Sequence, residues 1–268
     1  MIVDVKLPEQ EPILILNAVI ETYKPVTVNV SKGLGILDTG KIYIIENAVV
    51  EIFQNGSFKE RLTYTENGNY ISNLTIPQYG NKYKIVASAP GFTEVFAETD
   101  IPSNVKISNI IVKDSATYDF YNLLNASVSF TLHDPLESNF YMLEMYAFDS
   151  DLSNGAHPID ISASDAKIEF LTGYKNIMFL DRSFYGKEYI IEIFFDSFYL
   201  NDSSTMGTPV LLNVSTITQE YYLYQKSVNE QFESRFNQFA DPAPVYSNIN
   251  NGLGILLGKN NNFFPVFK

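Results

Sequence analysis

The two histidines are the first candidates for catalytic chemistry, because the 268 residues of the chain include no cysteine. His133 is followed by Asp134, and His157 lies before a proline in a similar turn-like setting. A histidine beside an aspartate is compatible with a Ser-His-Asp triad, but the chain lacks the Gly-x-Ser-x-Gly motif of serine hydrolases. Neighbouring residues of a strand also point to opposite faces. We therefore expect both imidazoles in solvated turns and predict no catalytic residue.

One polar segment has part of the oxygen spacing of a calcium loop. Asp149, Asp151 and Ser153 occupy positions 1, 3 and 5, and Asp160 occupies position 12. However, Gly155 falls at position 7 rather than 6, and position 12 lacks the bidentate glutamate of an EF-hand. A segment rich in Asp, Ser, Asn and Gly is most simply a turn. We predict no metal ligand, and leave open whether the Asp149/Asp151 loop binds calcium.

A glycine pair, Gly33-Leu34-Gly35, resembles half of a nucleotide-binding fingerprint. The third glycine and the helix that should follow are missing, so this segment is predicted to be a loop rather than a phosphate cradle. Paired carboxylates for glycoside hydrolysis cannot be assigned, because the acidic residues are scattered over many predicted strands. The sequence therefore predicts no cofactor.

The aromatic residues keep a sugar-binding hypothesis open. The chain has 18 Tyr and 20 Phe but no Trp. Exposed rings could form a stacking platform, since apolar surface patches often mark binding sites. In a mainly β chain most of these rings are expected in the core, and carbohydrate-binding modules depend strongly on Trp. A carbohydrate site is therefore the alternative hypothesis rather than the first.

Charge and composition exclude several classes of partner and chemistry. With 18 Lys and Arg against 31 Asp and Glu, the net charge is −13. Nucleic acids and anionic membrane surfaces require a basic footprint, so both are disfavoured as partners. The absence of cysteine excludes disulfides, thiolate nucleophiles and Cys-based zinc sites. No stretch approaches the 18 apolar residues of a membrane-spanning helix.

The N-terminal part has the spacing of short strands and turns that is typical of a β-sandwich. Residues 13–20 form a nearly continuous apolar run, which favours a strand covered on both faces. Residues 48–65 form the strongest predicted hairpin, because Asn55-Gly56 suits a two-residue type I′ turn. A proline and small polar residues after residue 100 suggest a boundary. We therefore predict a first domain at residues 1–102, an Ig-like or prealbumin-like sandwich.

The remainder, residues 103–268, is predicted to be a second β-rich sandwich domain with one long helix at about 218–239. Thr218 is a suitable N-cap, and Asp241-Pro242 would end the helix. The aromatic and apolar residues of this helix recur every three or four positions, which predicts one apolar stripe that packs on the second sandwich. The members of this stripe are Tyr221, Tyr224, Val228, Phe232, Phe236 and Phe239.

The two ends of the chain resemble a known family. Leu7-Pro8, Pro12 and the apolar run that ends at Ile20 are similar to its opening sequence. The segments from Glu220 to Tyr224 and from Pro244 to Ile255 resemble its C-terminal signature. On these motifs the chain is identified as a member of the DUF4249 family of Bacteroidetes, a domain of unknown function. It departs from the usual pattern at the end of the signature, where the family often has Glu and Phe-Gly in place of Asn250 and Leu256-Leu257.

The resemblance implies an exported lipoprotein that is anchored in the outer membrane through an acylated cysteine. That cysteine would precede Ile2, so Met1 is expected to stand in place of a signal peptide and lipobox. Family members are commonly encoded beside TonB-dependent receptors, which implies an accessory on the cell surface or the periplasmic side. No catalytic residue is implied, because the family has none established.

Two functions are therefore expected, and a hydrolase that works through the scattered carboxylates is a third hypothesis. The first is a non-enzymatic, lipid-anchored outer-membrane accessory or binding protein that works with a TonB-dependent receptor in nutrient uptake. The alternative is a free-standing surface adhesin or carbohydrate-binding lipoprotein. The sequence does not identify the ligand, the membrane face, the oligomeric state or the receptor.

Overall fold

The computed structural model describes residues 12–33, 43–119, 122–148, 155–173, 175–201, 210–235 and 243–267. Within these ranges the chain is mostly strand, and one of its two α-helices is longer than four residues. This confirms the prediction of a mainly β fold with one long helix near the C-terminus. None of the helices in the described ranges has the length and apolar character that crossing a membrane requires.

The chain divides into two compact units, the first formed by residues up to Asp100 together with Tyr246–Leu257. One sheet of this unit has the order β6-β7-β2-β1, with β3 beside β2, and the other has the order β5-β4-β8-β9. Both sheets bury alternate residues, as expected for a sandwich. The strands are β1 Leu14–Glu21, β2 Thr27–Lys32, β3 Tyr43–Ile44, β4 Val49–Gln54, β5 Ser57–Arg61, β6 Thr63–Tyr64, β7 Asn69–Ile71, β8 Lys82–Ser88 and β9 Val95–Asp100.

Strand β1 differs from the prediction of a strand covered on both faces. Leu14 and Leu16 are buried, while Asn17 is exposed and Ile13, just before the strand, is 42% exposed. In a two-layer sandwich each sheet has only one face on the core, so an apolar run is buried at every second position.

The predicted hairpin is confirmed. Strands β4 and β5 pair antiparallel on either side of Asn55 and Gly56, whose φ angles of 51° and 78° are both positive. Two consecutive positive φ angles are what a type I′ turn requires, and Asn-Gly is its preferred sequence.

The second unit consists of Ile101–Val245 and the residues from Gly258 onward. Its two sheets have the orders β15-β16-β12-β18, with β13 and β20 at the sides of β12 and β18, and β10-β11-β17-β14. A single core contains side chains of both sheets, such as Phe130 and Leu143, so this unit is also sandwich-like. Its elements are β10 Lys106–Tyr118, β11 Leu124–His133, β12 Phe140–Phe148, β13 Ala156–Ile159, β14 Ser162–Ala163, β15 Leu171–Gly173, β16 Asn176–Leu180, β17 Glu188–Asp196, α1 Phe198–Asn201, β18 Val210–Ile217, α2 Gln219–Ser234 and β20 Phe263–Val266.

One further strand, β19 Leu253–Asn260, spans the division between the units. Its last residues, Lys259 and Asn260, pair with β18 in the second unit. Residues 246–257 belong to the first unit, so the contiguous second domain predicted at 103–268 differs from the observed compact units. The sequence contains no local signal that residues 246–257 return to the first unit, because this depends on contacts with residues far away in the chain.

The face through which helix α2 contacts its sheet coincides only partly with the predicted stripe, since Tyr221 of the stripe packs against the same cluster as Tyr222. Tyr222 is buried against Phe140, with ring centroids 5.5 Å apart, and Asn229 donates a hydrogen bond to the carbonyl of Thr172. Phe232, a member of the predicted stripe, is 58% exposed. The contact face is displaced by one residue, which is about 100° around a helix. Positions 236–239 of the prediction lie outside the described residues.

The predicted N-cap position is correct, but its side chain has another partner. Thr218 precedes α2 in an extended conformation and makes no side-chain cap. Its hydroxyl oxygen instead accepts a hydrogen bond from the N–H of Gly258 on β19. Thr218 therefore links the start of the helix to the neighbouring strand.

The C-terminal signature segment completes the first unit. Asn250 exchanges backbone hydrogen bonds with Phe96 of β9, at 2.8 and 3.3 Å. The side chain of Asn248 bonds both backbone groups of Leu256, each at 2.8 Å, and so takes the place of a neighbouring strand. Gly254 lies so close to β1 that an added Cβ would be 2.1 Å from the carbonyl oxygen of Leu16. These residues therefore have a structural role.

A buried polar cluster fixes the register of β12, β18 and β19. The ammonium group of Lys259 lies 2.6 Å from a carboxylate oxygen of Glu144, and their side chains are 6% and 13% exposed. Asn213 donates hydrogen bonds to Glu144 and to Asn261, each at 2.9 Å. Buried ions without partners are strongly destabilising, so these strands can pair in only one register without separating the charges.

Replacing Gly254 by alanine is expected to destabilise the protein far more than the same change at Gly80. Both residues have positive φ angles, +112° and +80°, but around Gly80 no atom of the described residues lies within 4 Å of an added Cβ. Gly80→Ala should cost about 1–2 kcal/mol for the left-handed backbone alone. Gly254→Ala adds a backbone clash and should cost roughly 3 kcal/mol or more. Urea unfolding measures both values, and equal losses would contradict the close approach.

Replacing Lys259 by methionine should cost about 3–5 kcal/mol, because Glu144 would be left as a buried, unpaired charge. The double variant Lys259→Met with Glu144→Leu should recover most of this loss. The matched control is Lys226→Met, whose partner Glu230 is 4.0 Å away on the helix surface with both side chains about half exposed. That change should alter the free energy of unfolding by less than about 1 kcal/mol. Similar losses of stability for Lys259→Met and Lys226→Met in thermal unfolding would contradict the role given to the buried Lys259–Glu144 ion pair.

Candidate functional site

The imidazole of His133 lies between a serine and a glutamate from the two neighbouring strands. Its Nε2 is 2.7 Å from the hydroxyl oxygen of Ser108 on β10, and its Nδ1 is 3.0 Å from a carboxylate oxygen of Glu188 on β17. The histidine side chain is 28% exposed and the glutamate side chain 71% exposed, so the imidazole and its carboxylate partner are open to solvent. The expectation of a solvated histidine in a turn is therefore wrong: His133 is the last residue of a strand and has two partners.

Strand pairing explains how these three residues meet. On β11, Phe130 and Leu132 point into the core, so Thr131 and His133 point to the outer face. Glu188 is directly opposite His133 in the pairing of β11 with β17. On the other side, Ser108 is opposite Thr131 and reaches His133 along the diagonal. The sequence separates the three residues, and only the register brings them together.

A β-bulge follows Ser108 and sets the direction of its side chain. The pairing of β10 with β11 shifts between Ser108 and Ile111, and Asn109 has a φ of 53°. The side-chain amide of Asn109 donates a hydrogen bond to the hydroxyl of Thr131 at 3.3 Å, so it lies on the same outer face as Ser108. Bulges re-aim side chains and are enriched next to functional sites.

Asp134 is not the partner of His133, although it is the next residue. Its carboxylate is buried and accepts hydrogen bonds from the hydroxyl of Tyr141 and from the N–H of Gly186. Burial raises the pKa of Asp134; the bonds from Tyr141 and Gly186 lower it, and the charges of Asp181 and Glu137 raise it, with a net upward shift. Asp134 thus ties the end of β11 to the loop before β17.

The other histidine and the calcium hypothesis have no such arrangement. His157 lies in β13, not in a turn, with its ring 6.4 Å from that of Tyr199. Asp160, the twelfth position of the proposed calcium loop, bonds the ammonium group of Lys175. Residues 149–154, including Asp149 and Asp151, lie outside the described residues. Among the described residues, no group of three acidic or histidine side chains could hold a metal ion.

Gly33, the first glycine of the segment that resembles a nucleotide motif, directly follows β2. The N–H of Gly33 donates a hydrogen bond to the carbonyl of Ile13 at 2.8 Å. Gly33 therefore extends the pairing of β1 with β2, and residues 34–42 lie outside the described part of the chain.

The first unit has a cleft of about 360 Å³ on the outer face of its β5-β4-β8-β9 sheet. Phe53 of β4, Lys84 of β8 and Glu98 of β9 are consecutive partners across the sheet and line this cleft. The ring of Phe53 contacts that of Phe58 edge to face, with centroids 5.7 Å apart. The ammonium group of Lys84 lies 4.4 Å from the ring centroid of Phe96. This size is in the lower range of small-molecule sites.

The cleft has the chemistry of a binding site. The ring of Phe53 offers flat apolar surface in its lining. The charged groups of the lining are two ammonium donors, Lys82 and Lys84, and one carboxylate acceptor, Glu98. No histidine or serine is found among the described residues that line it. Phe58 and Phe96 lie beside the cleft, through their contacts with Phe53 and Lys84. Sequence reasoning did not single out these three rings, because their shared face depends on strand register.

The loop between β7 and β8 is braced by a buried carboxylate. Glu60 accepts hydrogen bonds from the backbone N–H groups of Asn73 and Thr75, at 2.9 and 2.7 Å, and from that of Leu74 at 3.2 Å. Burial raises the pKa of Glu60, but hydrogen bonds from the Thr75 hydroxyl and these N–H groups outweigh it, and the pKa is lowered from its usual 4.5. Further along the chain, the side-chain oxygen of Asn81 accepts a hydrogen bond of 2.8 Å from the side-chain amide of Asn55, which lies in the cleft wall.

Glu60→Gln is expected to destabilise the protein by about 1.5–3 kcal/mol at pH 7, because the loop N–H groups lose a charged acceptor. A carboxylate with a lowered folded-state pKa adds stability above its unfolded value, and this is lost as the pH falls through the folded value. The difference between wild type and Glu60→Gln should therefore shrink below about pH 4.5. Chemical unfolding at pH 7 and pH 4 measures it, with the exposed Glu66→Gln as control. A difference that is independent of pH would contradict the role of the charge.

Comparison with known proteins gives one informative match. The model of the family described as "Domain of unknown function (DUF4249)" matches residues 2–262. A search of curated proteins found no match. The matched region spans nearly the whole chain, including both compact units and the signature segment that completes the first one. The chain therefore belongs to the DUF4249 family, a domain of unknown function.

Proposed function

We propose that the protein is a lipid-anchored accessory or binding component of an outer-membrane uptake system, working beside a TonB-dependent receptor. Membership of the DUF4249 family supports this proposal, because the resemblance to that family implies an exported lipoprotein and its members are commonly encoded beside such receptors. The acidic net charge of −13 is compatible with a protein that is held at a membrane by a lipid rather than by a basic surface.

The cleft of the first unit is the observation that carries the binding role. The ring of Phe53 and the cationic and anionic side chains around it can contact the flat face and the polar groups of an organic ligand at the same time. The hydrogen bond that Asn55 of the cleft wall donates to Asn81, at 2.8 Å, holds part of the wall in place, and a pre-formed site loses less entropy when it binds. We assign recognition, not catalysis, to this cleft.

The alternative function is a free-standing surface adhesin or carbohydrate-binding lipoprotein. The aromatic surface of the cleft favours it, because sugar rings pack on aromatic faces and bind through hydroxyl groups to charged side chains. The two functions differ in whether a receptor is a constant partner. A receptor accessory would be isolated with its receptor, whereas an adhesin would not.

The test is purification of the full-length lipidated protein from gently solubilised outer membranes of a native host. We expect a TonB-dependent receptor in stoichiometric amount, identified by mass spectrometry. Isolation of the protein without any stoichiometric receptor would contradict the accessory role. Glycan binding measured by calorimetry would then test the alternative.

Variants of the cleft connect either result to the site. Lys84→Glu reverses a charge inside the cleft, and Lys59→Glu makes the same change on exposed strand β5. We expect Lys84→Glu to weaken the binding of receptor or glycan at least tenfold and Lys59→Glu to leave it within about twofold. Equal effects of the two variants would place the binding surface elsewhere.

A further inference from the structure

The hydrogen bonds around His133 determine which of its nitrogens carries the proton. A carboxylate can only accept hydrogen bonds, so Nδ1, which faces Glu188, must be the N–H of the neutral imidazole. Nε2 then has a lone pair directed at Ser108, and the serine hydroxyl donates to it across 2.7 Å. This is the arrangement of a serine nucleophile, a general base and an orienting carboxylate.

The backbone at Ser108 also fits this role. The serine precedes a bulge residue in the left-handed region, Asn109, and such strained positions cluster at functional sites. The amide of Asn109 is on the same face. Side-chain amides are among the donors that stabilise the oxyanion formed when a nucleophile attacks a carbonyl group.

The surroundings indicate the size of the substrate group. Ile111 and Ile190, which follow Ser108 and Glu188 on this face, are 56% and 68% exposed. They offer apolar contact to a short acyl chain beside the serine. The rest of this face is polar: Ser129 is half-buried and Thr131 is buried, both on the same side of β11. An open face admits an alcohol of any size, including one that is part of a polymer.

We propose that Ser108, His133 and Glu188 form a hydrolytic site for short-chain carboxylic esters in the second unit. This activity goes beyond the binding role of the cleft and replaces the sequence-based expectation of a chain without catalytic residues. Ser108 is the nucleophile, His133 the general base and Glu188 the positioning residue.

The reaction balances with water as the only second substrate. The Ser108 oxygen attacks the ester carbonyl while its proton moves to Nε2 of His133. The tetrahedral intermediate collapses, the C–O bond to the alcohol breaks, and Nε2 returns the proton to the alcohol. A water molecule, deprotonated by Nε2, then attacks the acyl-serine. The second tetrahedral intermediate collapses, the bond between the acyl carbon and the serine oxygen breaks, and Nε2 returns the proton to that oxygen. The carboxylic acid is released and the serine hydroxyl is restored.

The proposal is tested with the whole protein and two probes, a fluorophosphonate that labels activated serines and an aryl acetate. We expect one phosphonyl adduct, located on Ser108 by peptide mass spectrometry, and hydrolysis of the aryl ester above the buffer rate. Ser108→Ala should abolish both signals. Ser129→Ala, a matched serine on the same outer face, should leave both within about twofold.

Three further variants separate chemistry from folding. His133→Gln should slow labelling about a hundredfold or more, the usual contribution of a general base. Asn109→Gly keeps the left-handed backbone accessible and removes only the amide, so aryl ester hydrolysis should fall about tenfold or more. Glu188→Gln should have a smaller effect, since its exposed charge is screened by water. All variants should melt within a few degrees of wild type.

Two outcomes would overturn the proposal. One is an adduct on Ser108 that is no more frequent than on Ser129 in the wild-type protein. The other is labelling of Ser108 that is unchanged in folded His133→Gln. Either result would show that the three side chains form only a surface hydrogen-bond network. The cleft variants are measured by binding and these variants by labelling, so failure of one proposal is distinguishable from failure of the other.

Discussion

The approach of Gly254 to strand β1 is the constraint on which the arrangement of the chain depends. A side chain at this position would overlap the carbonyl of Leu16, so β19 can lie beside β1 only because residue 254 has no Cβ. The asparagines before it bond β9 and the backbone of β19 itself. Asn250 and Phe96, which are 154 positions apart in the chain, are thereby joined. The family signature at this end therefore records a requirement of folding rather than a set of reacting groups.

Both units place their candidate chemistry on outer sheet faces. In a sandwich the inner face of each sheet is committed to the core, and the alternation of the strands leaves the opposite face for other roles. In the first unit that face brings rings together with Lys84 and Glu98. In the second it brings a hydroxyl, an imidazole and a carboxylate into one row. The proposed recognition site and the proposed hydrolytic site thus lie in different units.

The sequence predicts those features that depend on neighbouring residues. Asn55-Gly56 specifies its hairpin because two positive φ angles are needed in succession, and the strand spacing predicts a mainly β chain. The contact face predicted for α2 was wrong at Phe232, because the sheet against which a helix packs determines which of its residues are buried. Here the contacts are made through Tyr222 and Asn229. The return of residues 246–257 and the partners of His133 depend on register between distant strands, for which the sequence contains no local signal.

The partner of His133 illustrates why adjacency is a poor guide to chemistry in strands. Asp134 follows it directly but turns towards Tyr141 and Gly186, and it is fully committed there. Glu188 and Ser108 reach the imidazole because the pairing that buries Phe130 and Leu132 also fixes the outer face. A slip of one residue in β10 or β17 would turn the serine or the glutamate towards the core. The same hydrophobic alternation that holds the second unit together therefore also holds Ser108, His133 and Glu188 in place.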